Sequence, residues 1–412
     1  MIIQPNIVKI GGTTPSGGWQ RPEDWLPIDN LVSAGDDKFV GLYAIFPNDS
    51  LEAPGNTLKM LCNFAWTVNW GDGTTADIAT GTEAAHTYDF DTIDANTETS
   101  EGYRQVVVTI TATSGNMNNY VQIGRPGSTL VCTNWLDIRI SSIYITGLEI
   151  SLSYTAFRLN KFVWLGSTFA GLTIGGVRNV PIHVFQVNWS GLSTLQFLFY
   201  LGASLDDLGD IVTNATVIGY LTSGSYVRRI GNVTAQNATT AFYIFNGTLA
   251  EEIGDVDIRS ATNTAGMLQN APLIRKIGTI NISNSESLYF AFTTSSLKGT
   301  LNLITTSALY ECSYAFYGSA NVTEITLSDA SGITSTTGMF SSCPRLASLR
   351  LPGIAVSFSV ASCNMDATAL NTLFGDLATI TGDPMVITIT GNPGAATCDQ
   401  TIATAKNWTV VS

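Results

Sequence analysis

The sequence predicts a mainly β protein in which a β-sandwich is followed by a solenoid of stacked strand repeats and a small α/β segment. Short alternating strands with turn signals occupy residues 38–114. A repeat of about 21 to 24 residues occupies 191–366, and a helical spacing of apolar residues returns in 367–412. Residues 1–37 form an irregular arm rich in turn formers, and 115–190 is predicted to be a transition that includes the N-terminal cap of the solenoid.

The repeat consists of a small residue followed by an aromatic or Met anchor, and of an alternating apolar pair further along the chain. The anchors are Phe242, Met267, Phe292, Phe316 and Phe340. The pairs are Val256/Ile258, Ile280/Ile282, Leu301/Leu303, Ile325/Leu327 and Leu349/Leu351. Apolar residues two apart point to one face of a strand, and such a strand cannot bury that face alone. Each repeat must therefore stack on the next, with the anchors in a continuous core of an elongated, surface-presenting structure.

The composition narrows the classes of function. Apolar residues make up 45% of the chain and charged residues only 12%, about half the usual share, so the surface must be built largely from Ser, Thr, Asn and Gly. Such surfaces are typical of secreted or particle-borne β proteins. The net charge of −13 and the lack of a basic run argue against nucleic acid as a partner. We see no signal peptide and no apolar run of membrane-spanning length, so we expect no membrane insertion.

The arm contains two tryptophans, Trp19 and Trp25, in a segment of turn-forming residues. Exposed Trp is unfavourable unless it docks on something. Two interpretations are open: the rings pack on the protein's own next domain, or they anchor the protein to a partner. Trp19 and Trp25 are therefore the candidates for attachment to a larger particle.

Residues 66–110 contain a second pattern. Val68-Asn69-Trp70-Gly71-Asp72-Gly73-Thr74 is followed by His86-Thr87-Tyr88 and by Val106-Val107-Val108-Thr109-Ile110. Asp-Gly after a strand is a strong hairpin signal. The order of these motifs resembles the PKD-type immunoglobulin-like domain, which implies an immunoglobulin-like β-sandwich with a spacer role and no catalytic residues.

The last repeats resemble the BspA-like class of leucine-rich repeat. The resemblance rests on Phe340-Ser341-Ser342-Cys343-Pro344-Arg345-Leu346-Ala347-Ser348-Leu349-Arg350-Leu351, and the preceding repeat matches at Tyr314-Ala315-Phe316. It implies a leucine-rich-repeat solenoid. In the tail, helices over 369–377 and 400–406 and strands over 386–390 and 408–411 predict a cap, and 387–411 looks like the C-terminal cap of repeat proteins of tailed phages.

Catalytic chemistry has few candidates. The chain has two His, and His86 and His183 both lie in strand-like patterns, so a catalytic triad or a His-based metal site is not expected. Asp255 and Asp257 could serve a glycoside hydrolase, but their alternation with Val256 and Ile258 places them on a solvent face. The same two interpretations, catalytic carboxylates or a solvent-exposed face, apply to the clusters Asp206, Asp207, Asp210 and Glu251, Glu252. We expect no enzyme.

Metal and thiol chemistry is equally sparse. Asp72 could bind Ca²⁺ with Asp77 or Asp89, although such an Asp more often bonds its own turn amides, so we expect no cofactor. The six cysteines form no CxxC pair. Cys312 and Cys343 lie near anchors and are predicted to be buried free thiols, with a disulfide as the alternative.

Taken together, these features resemble a virion surface protein of a tailed bacteriophage. The resemblance implies a structural and adhesive tail-fibre, tail-tip or head-fibre component made in the host cytoplasm and carried on the extracellular particle. The arm would bind other virion proteins, the repeat face would contact a host surface glycan or protein, and the protein would be a homo-oligomer. The alternatives are a bacterial cell-surface adhesin with the same modules and a polysaccharide depolymerase.

Overall fold

The computed structural model describes residues 19–123, 133–151, 158–166, 171–175, 182–187, 189, 192, 194–195 and 204–412. Within them the protein is mainly β, with 7% helix and a β-solenoid of about 10 turns. The prediction of a mainly β chain with stacked repeats is confirmed. The first half of the arm, residues 1–18, and parts of the predicted transition lie outside the described residues.

Two sheets form the N-terminal half. Their strands are β1 (Lys38–Ile45), β2 (Thr57–Cys62), β3 (Trp66–Asn69), β4 (Thr75–Ile78), β5 (Glu83–Thr87), β6 (Arg104–Ala112), β7 (Asn119–Ile123), β8 (Trp135–Ser141), β9 (Ile145–Ser151), β10 (Lys161–Trp164), β11 (Gly171–Gly175) and β12 (Val184–Gln186). The first sheet has the order β12-β10-β8-β1-β6-β3-β4 and the second the order β11-β9-β7-β2-β5. Short 3-10 turns occupy Ala53–Asn56, Phe90–Thr92 and Ala95–Thr97.

Both sheets change from antiparallel to parallel pairing, the first sheet at β8 and the second at β7. Strand β1 pairs antiparallel with β6 and β8, and β2 with β5 and β7. From there on β8, β10 and β12 are parallel, as are β7, β9 and β11. The hydrogen-bonded sheets thus continue directly from the first strands into the parallel stack.

Strand β1 is buried on both faces, which explains its nearly unbroken apolar sequence. Phe39, Tyr43 and Ile45 face the main core. Val40, Leu42 and Ala44 form a second core with the arm residues Trp25, Ile28 and Val32. The arm therefore packs on the outer face of the first sheet.

The C-terminal half stacks its turns in parallel register. The strands are β13 (Ser204–Asp207), β14 (Ile211–Val212), β15 (Tyr226–Ile230), β16 (Val233–Thr234), β17 (Glu252–Ile253), β18 (Val256–Asp257), β19 (Lys276–Ile277), β20 (Ile280–Asn281), β21 (Gly299–Ile304), β22 (Val322–Leu327) and β23 (Ser348–Arg350). One sheet has the order β13-β15-β17-β19 and the other β14-β16-β18-β20-β21-β22-β23. A third side is linked by single bridges through Thr194, Val217, Thr240, Asn263, Ser287, Glu311 and Ser335.

The bridges fix which residues are equivalent, and this corrects the register of the anchors. Phe292, Phe316 and Phe340 each lie five residues after a bridge and are buried in a stack, with ring centroids 5.4 and 5.5 Å apart. The equivalent residue one turn earlier in the series is Leu268, and Met267 is buried beside it. In the turn before that it is Phe245, fully buried, whereas Phe242 is only half-buried. The small-aromatic pair at 241–242 resembles the repeat but lies three residues out of register.

The tail forms a third small unit of strands β24 (Phe358–Ser359), β25 (Met385–Thr388) and β26 (Trp408–Val411) and helices α1 (Ala367–Asp376) and α2 (Thr401–Thr404). Asp366 begins α1 by accepting a hydrogen bond from the Ala369 N–H. Leu370, Leu373 and Phe374 of α1 are buried in the main core. The two helices and the two strands predicted for the tail are confirmed. Within the described parts of the chain, no helix is long and apolar enough to cross a membrane.

The corrected register makes a stability prediction. Phe245→Ala removes a fully buried ring and leaves a cavity, so we expect the free energy of unfolding to fall by about 3 to 5 kcal/mol. Phe242→Ala, in the same turn, removes a half-buried ring and should cost about 1 kcal/mol. Urea unfolding of both variants measures the difference. An equal or reversed order would contradict the register.

Candidate binding surface

The third side of the solenoid carries aromatic residues on left-handed backbone. Tyr220, Tyr243, Phe290 and Tyr314 each lie three residues after a bridge, with φ between 54° and 55°. For a bulky side chain this conformation is an outlier that costs on the order of 1–2 kcal/mol. The same position in two other turns is Gly266 and Gly338, with φ of 61°. Glycine adopts this conformation without strain, so the four aromatic residues are kept against a local conformational cost.

The strained residues form two short ladders. Tyr220 stacks on Tyr243 at 5.4 Å between ring centroids, and Phe290 stacks on Tyr314 at 5.1 Å. Each ladder ends where the next turn has glycine. A Cβ on Gly266 would lie 2.1 Å from the Tyr243 ring, and one on Gly338 would lie 2.7 Å from the Tyr314 ring. Glycine at these positions makes room for the last ring of each ladder.

Further aromatic rings extend the ladders across the surface. Phe242 packs edge-on against Tyr220 at 5.3 Å, Tyr289 against Phe290 at 4.3 Å, and Tyr317 against Tyr314 at 6.0 Å. Tyr289 and Tyr317 are 43% and 40% exposed. We call the set the aromatic face: Tyr220, Phe242, Tyr243, Tyr289, Phe290, Tyr314 and Tyr317.

An uncharged polar row borders the aromatic face. Asn246 donates to the side-chain oxygen of Gln269 at 3.2 Å, and the Thr294 hydroxyl donates to Asn270 at 2.5 Å. The third-side segments 217–224, 240–247, 263–270, 287–294, 311–318 and 335–342 contain Glu311 and no other Asp, Glu, Lys, Arg or His. The surface thus combines aromatic rings, amides and hydroxyls with almost no formal charge.

Charged residues instead collect on the sheet that contains β13, β15, β17 and β19. Their signs alternate from turn to turn: Asp206 and Asp207, then Arg228 and Arg229, then Glu251 and Glu252, then Arg275 and Lys276. Arg229 lies 3.5 Å from Asp207, and Arg228 lies 3.2 Å from Glu251. Exposed pairs of this kind contribute at most about 1 kcal/mol each, but the alternation avoids stacking like charges.

Beside these charges runs a groove of about 360 Å³, which we call the charged groove. Its polar lining includes Asp207, Arg229, Asn232, Glu252, Asp255 and Lys276. Its floor is a row of hydrogen bonds between turns: Asp210 accepts from the Asn232 N–H, Asn232 from the Asp255 N–H, and Asp255 from the Thr279 N–H, at 2.7 to 2.9 Å. A Cβ on Gly254 would lie 2.5 Å from the Asn232 oxygen, which explains the glycine at this corner.

The carboxylates considered for catalysis are engaged in structural contacts. The Asp257 carboxylate accepts hydrogen bonds from Arg259 and Gln236. The hydrogen bond from Arg259 is the main reason why the pKa of Asp257 is lowered. The hydrogen bond from Gln236 acts in the same direction, and burial acts against both. Asp255 accepts the Thr279 amide in the floor of the charged groove. Both carboxylates are thus engaged in contacts within the protein, and the lowered pKa of Asp257 is opposite in direction to what a general acid needs.

The hairpin residues considered for calcium contact each other and their own turn. Asp72 accepts from the Thr74 amide at 2.9 Å and contacts His86 Nε2 at 2.7 Å, and His86 stacks on Trp70 at 4.8 Å. Asp77 accepts from Thr67, so it belongs to a separate contact. The described residues contain no group of three or more His, Cys, Asp or Glu arranged to hold a metal.

The two arm tryptophans contact the protein itself. Trp25 is 5% exposed, packs in the second core and donates its indole N–H to the Tyr103 hydroxyl at 2.8 Å. Trp19 is half-buried and stacks on His183 at 5.6 Å, and His183 contacts Asp206 at 3.0 Å. Packing on the protein's own domain, the first of the two interpretations, accounts for the Trp25 ring. Attachment to a particle through the arm stays a prediction.

A buried carboxylate holds the same arm. Asp137 on β8 is fully buried, and its Oδ2 accepts from Arg21 Nε at 3.2 Å, while Oδ1 has no hydrogen-bond partner. Burial raises the pKa of Asp137, against the opposing effects of Lys161 and Arg21. The Arg21 guanidinium also donates to the carbonyls of Trp25 and Leu26, which fixes the course of the arm.

The cysteines are free thiols in the described residues, as predicted for Cys312 and Cys343. Cys343 donates weakly to the Phe316 carbonyl at 3.1 Å, and burial raises its pKa to about 12. Burial likewise raises the pKa of Cys312, so both thiols stay protonated at neutral pH.

Sequence reasoning missed the aromatic face because it sought buried anchors. A signal was present: a Tyr, Phe or Gly followed four residues later by Gly, Asn, Thr or Ser in every turn from 220 to 342. Both are left-handed positions, and aromatic residues were not expected there.

In comparisons with known proteins, no family model, no curated protein and no solved structure matches the chain.

The buried Asp137 predicts a pH dependence of stability. Because its pKa is raised in the folded state, its contribution to stability is fully present below the unfolded value of 3.8 and is lost as pH rises through the folded pKa. Asp137→Asn removes this titration. The free energy of unfolding of the wild type relative to the variant should therefore decline from pH 4 towards neutrality, as measured by urea unfolding across that range. A rising difference would contradict the assignment.

Proposed function

We propose that this protein is a non-enzymatic structural and adhesive component of the virion surface of a tailed phage, and that its solenoid presents the aromatic face for host attachment. The observation that carries the proposal is the aromatic face itself. Four aromatic residues occupy left-handed backbone that glycine occupies in equivalent turns. A local conformational cost kept in several turns favours a role for the surface that stability alone does not require.

The finer architecture is part of the proposal. The first strands would be an immunoglobulin-like spacer of the PKD type, the stacked turns a leucine-rich-repeat solenoid, and α1 with the last strands its C-terminal cap. The motifs at Trp70-Gly71-Asp72-Gly73 and at Met339-Phe340 support these assignments. The phage origin is an analogy with that order of modules and with the weakly charged surface.

Attachment would draw on many weak contacts. A shallow surface gives modest affinity in one copy, so we propose a homo-oligomer in which several solenoids bind together. The arm would join the protein to other virion proteins, with Trp19 and the segment before it as the contact. Trp25 is unsuited to this role, because its ring is covered by the first sheet.

The alternatives remain distinguishable. A bacterial cell-surface adhesin with the same modules would use the same aromatic face. A polysaccharide depolymerase would need two carboxylates facing a sugar bond about 5 to 10 Å apart. The contacts of Asp257 with Arg259 and of Asp255 with Thr279 favour a structural role for both carboxylates.

The proposal predicts where the protein is found. Antibody raised against residues 204–412 should label virions from a lysate of the producing culture and slow their adsorption to host cells. Immunogold microscopy and an adsorption assay measure both, and antibody against an unrelated protein is the control. Label on uninfected cells alone would favour the bacterial adhesin. Release of reducing sugar from host polysaccharide, abolished by Asp255→Asn or Asp257→Asn, would establish the depolymerase instead.

A further inference from the structure

We infer that the aromatic face binds an uncharged polysaccharide laid along the solenoid axis. The inference rests on the proposed function, since it names the ligand of the surface proposed for attachment. It depends on three properties of that surface: its lack of charge, the amphipathic character of its exposed groups, and its periodicity.

The lack of charge excludes ionic ligands from this surface. An anionic polymer needs Lys or Arg to pair with its acidic groups, and a cationic ligand needs carboxylates. The third-side segments supply neither, apart from Glu311. Within residues 204–277 most charged residues lie on or beside the sheet of β13, β15, β17 and β19, where oppositely charged residues pair across turns.

The exposed groups match the two sides of a sugar ring. A pyranose presents a C–H face, which packs on aromatic rings, and an edge of hydroxyls, which need hydrogen-bond partners. Tyr289 and Tyr317 expose about two fifths of their surface and offer both an apolar ring and a hydroxyl. The side chains of Gln269, Asn270 and Thr294 belong to the polar row of the same side and provide donors and acceptors.

The periodicity distinguishes a polymer from a folded protein as the ligand. Aromatic rings recur in neighbouring turns, one strand spacing of about 4.8 Å apart, as Tyr220 on Tyr243 and Phe290 on Tyr314, and glycine separates the two pairs. A polysaccharide also repeats one chemical unit along a line, so its successive units meet the two pairs in the same way. Tyr is also common at protein interfaces, but a folded protein partner would need a contiguous desolvated patch of large side chains at the centre of the interface. On the described surface of these segments, Tyr289 and Tyr317 are the exposed large apolar residues, and no exposed Leu, Ile or Met accompanies them.

The test uses the whole protein and two groups of polymers. Neutral polymers (dextran, mannan, galactan and a β-glucan) are compared with charged ones (alginate, hyaluronate and chitosan) in a solution binding assay. We expect binding of at least one neutral polymer, nearly unchanged by added salt because no ion pair contributes. The double variant Tyr289→Ala, Tyr317→Ala should bind at least about tenfold more weakly, which corresponds to 1.4 kcal/mol.

A matched control is available on another side of the solenoid. Tyr226 on β15 is 43% exposed, as is Tyr289, so Tyr226→Ala should leave binding unchanged. The double variant loses two partly buried rings, so its free energy of unfolding should fall by no more than about 2 kcal/mol. Urea unfolding shows that each variant is folded under the binding conditions, which separates loss of contact from loss of fold. Binding restricted to charged polymers, or neutral-polymer binding that the double variant retains, would overturn the inference.

A second readout separates the ligand class from the proposed attachment. Labelled protein is added to host cells treated with periodate, which cleaves sugar diols, or with protease. We expect periodate to abolish binding and protease to leave it. The opposite result would keep attachment but assign a protein receptor, which overturns the polysaccharide. If no untreated cells bind while a neutral polymer does, the attachment proposal fails and the ligand class stands.

Discussion

The structure depends on one constraint, the parallel in-register stacking of equivalent residues in successive turns. Stacking places the equivalent side chains of successive turns directly above one another, so they must fit together at one strand spacing. Phe292, Phe316 and Phe340 meet this condition with parallel buried rings. Equivalent charged residues alternate in sign from turn to turn. In the charged groove, Gly231, Gly254 and Gly278 each leave room for the Asp or Asn oxygen of the preceding turn. The core, the charged groove and the aromatic face all follow from the same rule.

The solenoid could be predicted from the sequence because the residues that repeat along the chain are the large apolar ones that become buried in the core. Alternating apolar pairs and large anchors identify stacked strands whatever their exact register, and the tail helix was visible in the spacing of Leu370, Leu373 and Phe374. The predicted anchor Phe242 was wrong, because the small-aromatic pair there lies three residues ahead of Phe245, the ring that is buried. Local patterns cannot separate these two rings, since only the pairing of turns decides which one points inward.

The candidate surface was not predictable for a physical reason. Tyr220, Tyr243, Phe290 and Tyr314 occupy a conformation that sequence rules reserve for glycine, so propensity argues against their placement. The burial of Trp25 also depended on distant strands, because β1 exposes an outer apolar face that the arm covers. The same stacking that makes the core regular thus produces a surface of repeated, weakly charged and partly strained groups, and repeated groups suit an extended ligand bound through many small contributions.

The central claim is that these aromatic residues are kept for contact and not for stability. Tyr314→Gly tests it most directly, because glycine occupies the equivalent position at Gly266 and Gly338. Relief of strain, about 1–2 kcal/mol, should offset most of the lost stacking of about 0.5–1.5 kcal/mol, the lost burial of about 1 kcal/mol and the added chain entropy. The account predicts a free energy of unfolding within about 2 kcal/mol of the wild type, together with weakened ligand binding. A loss of more than about 3 kcal/mol would show that the ring is a structural requirement and would contradict the claim.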